Sequence, residues 1–156
     1  MKIDIDDLLN RVDRHNAKIL DACRLRNEES MARLVAVEKK LARQVTQLRK
    51  LHVVYIAMLA DDKDKFGAKP EKTIGFSTWN CLPSVRVREA SDGQTVSVTV
   101  RLTDGALLCP DGVHTMSEIA ETYCSDNRMS EFFRRMPGVI DDFMSEFVDY
   151  VKAFNA

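Results

Sequence analysis

Between Leu8 and Leu59 apolar residues recur in steps of three and four: Leu8, Val12, Ile19, Ala22, then Leu34, Val37, Leu41, Val45, Leu48, Leu51, Tyr55 and Leu59. That spacing puts them on one side of an α-helix. No Pro or Gly interrupts the stretch, and Ala, Leu, Lys, Arg, Glu and Gln fill most other positions, so intrinsic propensity agrees with the periodicity. The pattern predicts one long amphipathic helix. At roughly 50 residues it is about 75 Å long, whereas a globule of the roughly 90 residues that remain has a radius of gyration near about 12 Å. Such a rod outruns its domain. Its stripe needs a covering helix, and a second copy of the chain is the simplest source.

The stripe is uneven. His15 and Arg26 occupy seam positions, and the path from Ala22 through Arg26 and Ser30 to Leu34 takes steps of four where a heptad takes a three. A stutter of this kind locally unwinds a supercoil. The alternative is a turn near Asn27, with Asn27 capping a second helix that begins with Glu28 and Glu29. That turn would fold the stretch into a hairpin that needs no second chain, but the Gly or Pro that eases a tight reversal is missing. Residues 1–60 are therefore expected to form a coiled-coil oligomerisation helix. Its dimer contacts are Leu8, Val12, Ile19, Leu34, Val37, Leu41, Val45, Leu48 and Tyr55.

Residues 61–72 are charged and contain Gly67 and Pro70, which reads as a linker. Asp61, Asp62 and Asp64 lack the Gly and terminal Glu of a calcium loop. Thr73 to Cys81 is a first strand or an irregular segment that puts Trp79 into the core. Ser84 to Ala90 and Thr95 to Leu102 then alternate strictly around Asp92-Gly93, the composition of a type I′ hairpin. Asp104-Gly105 repeats the device before Ala106 to Cys109. With these loops the expected pairs are Val87 with Val98, Val85 with Val100, Leu102 with Leu107 and Val100 with Cys109. Val85, Val87, Val96, Val98, Val100, Leu102, Leu107 and Cys109 then share a face that helices must cover. The other face carries Arg86, Arg88 and Arg101 among Thr95, Ser97 and Thr99, with no aromatic residue beside them.

Pro110-Asp111-Gly112 reads as a turn, and Thr115-Met-Ser-Glu118 as a capping box opening a short helix to Tyr123. Ser125 or Asp126 caps the next helix. Its apolar positions are Phe132, Phe133, Met136, Ile140, Phe143, Met144, Phe147, Val148, Val151 and Phe154, and Pro137-Gly138 should kink or restart it. The fold class is α+β: a long N-terminal coiled-coil helix, then, over 73–156, a three- to four-stranded antiparallel β-meander covered by C-terminal helices. This order of elements resembles the coiled-coil-plus-RWD arrangement of several kinetochore linker proteins, although the YPxxxP motif of many RWD domains does not follow the meander. Small phage and plasmid accessory proteins that bind a host factor share the outline. An order of elements does not by itself carry a function.

Charge and chemistry narrow the function. The net charge is −1, which excludes a polybasic nucleic-acid binder by bulk charge. Asp4, Asp6 and Asp7 stand where a secretory signal has basic residues, and no apolar run approaches the roughly 18 residues of a membrane span. A soluble intracellular protein, cytoplasmic or nuclear, is expected, with no membrane partner. Cys23, Cys81, Cys109 and Cys124 are far apart in sequence, so free and mostly buried thiols are expected, with no metal and no cofactor. Cys109 and His114 are the one candidate nucleophile and base, and no nucleophile elbow or phosphate loop accompanies them. No catalysis is expected. The function expected is a homodimeric adaptor or inhibitor whose α+β head binds a protein partner. The alternative is nucleic-acid binding through Arg86, Arg88 and Arg101, joined by the basic helix face from Lys39 to Lys50 (Lys39, Lys40, Arg43, Arg49, Lys50).

Overall fold

The computed structural model describes residues 2–58 and 65–155. Helix α1 runs unbroken over Ile5–Met58. Asp4 caps it, its side chain accepting from the Asp7 amide at 3.2 Å, and Asp6 and Asp7 in the first turn oppose the positive end of the helix dipole. Asn27 lies mid-helix, so the hairpin alternative is ruled out. Leu59, the last member of the predicted stripe, lies outside the described residues, as do Asp61, Asp62 and Asp64.

Strands β1 (Ile74–Trp79), β2 (Leu82–Ser91), β3 (Gln94–Arg101), β4 (Leu107–Cys109) and β5 (Gly112–His114) form one antiparallel sheet in sequence order. Asp92 and Gly93 both have positive φ between Ser91 and Gln94, as a type I′ loop requires, and Val87 faces Val98 and Val85 faces Val100 as expected. The next hairpin is a correction: Val100 pairs with Leu107, not Cys109. Its loop is longer because Leu102 gives its amide to Pro83 (2.9 Å) while Gly105 bonds back to Arg101 (2.7 Å). A slip of two residues keeps every side chain on its face, so Leu107 and Cys109 are still buried beneath the helices. The Pro110-Asp111 turn adds β5, which makes five strands where three or four were expected.

The predicted linker is only partly a linker. Phe66 is buried, its carbonyl accepts from the Phe76 amide, and the Ala68 amide donates to the Phe76 carbonyl, both at 2.7 Å. This approach is close enough that a Cβ on Gly75 would stand 2.5 Å from the Ala68 nitrogen.

Thr115 and Glu118 form the expected capping box ahead of a 3₁₀ turn, Met116–Glu118, and helix α2, Ile119–Tyr123. Asp126 caps helix α3, Asn127–Phe154, accepting from the Met129 amide at 3.0 Å. Of the kink or restart expected at Pro137, the restart does not occur: α3 passes through it as one helix. Pro137 is buried, as are Met136, Ile140 and Phe143 along the same helix, and burial of this face holds the helix together across the one donor that proline lacks.

Helices α1 and α3 run side by side and parallel. Asn27 and Ser30 lie by Asn127, Gln44 meets Pro137, and Tyr55 meets Phe147. Together they cover the valine face of the sheet, and Leu34, Leu41 and Leu48 are fully buried in that one core. This corrects the seam. Leu34, Val37, Leu41, Val45, Leu48 and Tyr55, expected at a dimer interface, are covered by their own chain, so the domain begins well inside the span 1–60.

Candidate interaction surface

The same helix leaves the domain at its other end. Ile5, Leu8, Leu9, Val12, Ile19, Leu20 and Leu25 are all exposed; Leu8 and Ile19 keep 46% and 48% of their surface and Leu20 keeps 69%. The α2–α3 junction, with Cys124 and Asn127, flanks α1 only from Arg26 and Asn27 onward. Residues 5–25 therefore stand clear of the domain over about 32 Å. Of the predicted contacts, Leu8, Val12 and Ile19 are on this free stretch and the other six are in the core. The free stripe is wider than the seam because Leu9, Leu20 and Leu25 flank it, a breadth that strict counting of threes and fours passes over.

The outer face of the sheet brings Arg86, Arg88 and Arg101 together as the register required. It also holds an aromatic residue, which the sequence reading denied it. Trp79 is only half-buried and lies three positions from the buried Phe76 in β1, an odd interval that puts the two on opposite faces. Arg101 stacks its guanidinium over Trp79, 4.6 Å from the ring centroid, and bonds Asp104 through Nε at 2.9 Å and a terminal nitrogen at 2.6 Å. These bonds hold the Asp104 carboxyl down to about 2. Ser84, between Arg101 and β1 in the register, is fully buried. Arg101 is thus part of the fold, while Arg86 and Arg88 have no ion-pair partner among the described residues. The basic face of α1 is likewise partly used. Lys40 pairs with Asp141 at 2.8 Å and Arg49 donates to the Leu102 carbonyl at 2.7 Å, leaving Lys39, Arg43 and Lys50 exposed.

Cys109 and His114 sit in adjacent strands but do not act on each other. His114 is held between two carboxylates, with Nε2 at 3.0 Å from Asp111 and Nδ1 at 3.3 Å from Glu118. Both hydrogen bonds raise its pKa, that of Asp111 more. Tyr123 donates its hydroxyl to the other Asp111 oxygen. Burial pushes the Cys109 thiol up, which disfavours the thiolate a nucleophile needs. The arrangement pins the β4–β5 hairpin to α2. Cys109 is the one buried thiol; Cys124 is half-buried and Cys23 and Cys81 are exposed, and all four are free. Burial of the thiols, expected for most of them, holds only for Cys109.

Among the described residues no group of three or more His, Cys, Asp or Glu side chains is placed to hold a metal ion, and no helix is long and apolar enough to cross a membrane. Comparison of the chain with protein-family models, with curated proteins and with solved structures finds no match. The likeness to coiled-coil-plus-RWD proteins is one of element order alone, which carries no function by itself.

Proposed function

We propose that the protein is a non-enzymatic homodimer, joined through the free part of α1, whose α+β heads bind a protein partner as an adaptor or inhibitor. The observation that carries this proposal is the free stretch itself. Leu8, Val12 and Ile19 remain exposed on a helix whose stripe is buried farther on at Leu34, Val37, Leu41, Val45, Leu48 and Tyr55, and a row of apolar residues this long is what a second helix covers. Two joined heads gain by avidity, since the second contact becomes intramolecular. Each head offers Arg86 and Arg88 on an open sheet face, which suits an acidic protein surface.

Light scattering coupled to size exclusion at tens of micromolar tests the dimer: twice the 17.7 kDa chain mass is expected, and a monomer mass would remove the proposal. Leu8→Asp with Ile19→Asp should give a monomer with unchanged circular dichroism per residue apart from the free helix.

Nucleic-acid binding has one observation in its favour: Trp79 stands on the arginine face, and stacking needs an aromatic. Against it, Arg101 is held on Trp79 and Asp104, and Lys40 and Arg49 are engaged within the fold. Titration with a single-stranded oligonucleotide separates the readings. Affinity that falls steeply with salt and disappears in an Arg86→Ala, Arg88→Ala chain would favour nucleic acid.

A further inference from the structure

We infer that the two copies pair antiparallel, residues 5–22 of one lying along residues 22–5 of the other. The inference rests on the homodimer proposed above. The first support is steric. Helix α1 is continuous, and its stripe does not change sides on entering the domain: Ile19 and Val37 are 18 residues apart, five turns at about 3.6 residues each, and Val12 and Leu48 are 36 apart, about ten turns. Val37 and Leu48 face the core while Val12 and Ile19 face solvent. A helix laid parallel along the free stripe would run straight into the α2–α3 junction at Cys124 and Asn127, and then into the domain behind it. Both copies have roughly 30 more helical residues to accommodate there, about 48 Å. A crossing angle of about 20° opens too slowly to carry one past the other.

An antiparallel helix meets no such obstacle. Its amino end stops before the junction, and its continuation leaves beyond the amino end of the first copy. Ile5 against Ala22, Leu8 against Ile19 and Val12 against His15 of the second copy use the stripe and stop short of Arg26.

The second support is charge. Residues 4–13 hold Asp4, Asp6, Asp7 and Asp13 against Arg11, four negative and one positive, net −3. Residues 14–26 hold Arg14, Lys18, Arg24 and Arg26 against Asp21, four positive and one negative, net +3. Antiparallel pairing sets the acidic half of each copy on the basic half of the other; parallel pairing stacks like on like. The acidic amino end also arrives beside the shoulder of the other domain, where Arg26, Arg33 and Arg134 gather with Glu29 and Glu131.

The test places one spin label on the full chain at Glu28→Cys, with Cys23, Cys81 and Cys124 replaced by Ser and the buried Cys109 kept. In the antiparallel register the two labels are 29 residues apart along the axis, so a distance of about 45 Å is expected from double electron–electron resonance. A dimer mass with a distance under about 25 Å would mean parallel helices and would overturn this inference while leaving the homodimer standing. A monomer mass would overturn both.

Discussion

Gln44 reaches from α1 to α3 and donates Nε2 to the carbonyl of Pro137 at 2.7 Å and to Asp141 Oδ1 at 2.8 Å. It is the buried polar tie between the two helices, 2% exposed, and its Oε1 has no hydrogen-bond partner among the described residues. The bond to Pro137 falls at the residue of α3 that lacks a backbone donor. Gln44→Ala removes both bonds and leaves a void, so a loss of about 2–3 kcal/mol is expected in urea unfolding. A loss under about 0.5 kcal/mol would show that the tie is dispensable.

The two halves of α1 should respond differently to the same kind of substitution. Leu41→Ala in the core should cost about 2–5 kcal/mol. Leu8→Ala and Ile19→Ala together should leave the unfolding midpoint of the domain unchanged and weaken the dimer. Denaturation followed at the Trp79 fluorescence, alongside sedimentation, reads the two effects separately.

Stability should vary with pH through the His114 cluster. The folded pKa of His114 is raised by Asp111, so its contribution is complete below the unfolded value of 6.5 and is lost as pH rises through the folded one. Asp111 and Glu118 are depressed, Asp111 chiefly by Tyr123 and Glu118 chiefly by Thr115; their contributions are present above 3.8 and 4.5 and are lost as pH falls through the folded values. The His114 contribution to the urea midpoint should therefore be greatest at about pH 5–6.5 and decline towards pH 8. The decline should vanish in His114→Asn, and a decline of the same size in that variant would assign it elsewhere.

Gly75→Ala places a Cβ 2.5 Å from backbone atoms of Gly67 and Ala68. Backbone cannot swing aside as a flexible side chain does, so the 66–68 segment must leave β1 and take Phe66 with it. A loss of about 2–4 kcal/mol is expected, combining strain with the uncovering of an aromatic ring. A loss as small as that of an ordinary surface Gly→Ala change would show that the segment adapts.

Trp79 is the only tryptophan, so its emission reports the Arg101 stack. Arg101→Ala should shift that emission to the red. In the native chain it should stay constant from pH 8 to 4, because Asp104, which anchors Arg101, titrates at about 2. A shift between pH 5 and 4 would mean that another group holds the stack.

Much of this molecule is legible along the chain because it rests on local rules. Helical spacing predicts α1, paired Asp-Gly turns predict the β2–β3 hairpin and its valine face, and Thr115 with Glu118 announces α2. Local rules cannot say what covers an apolar stripe, since Leu8 and Leu41 carry the same periodicity and differ only in what lies beside them. That was decided by α3, whose distant Phe and Met residues fold back onto α1 and stop at Asn127. The same limit explains Trp79, placed opposite Phe76 by its strand and held there by Arg101, and Gln44, whose partners are 93 and 97 residues away in sequence. Periodicity determined that α1 has one greasy side; only the tertiary packing decided how much of it the chain keeps for itself.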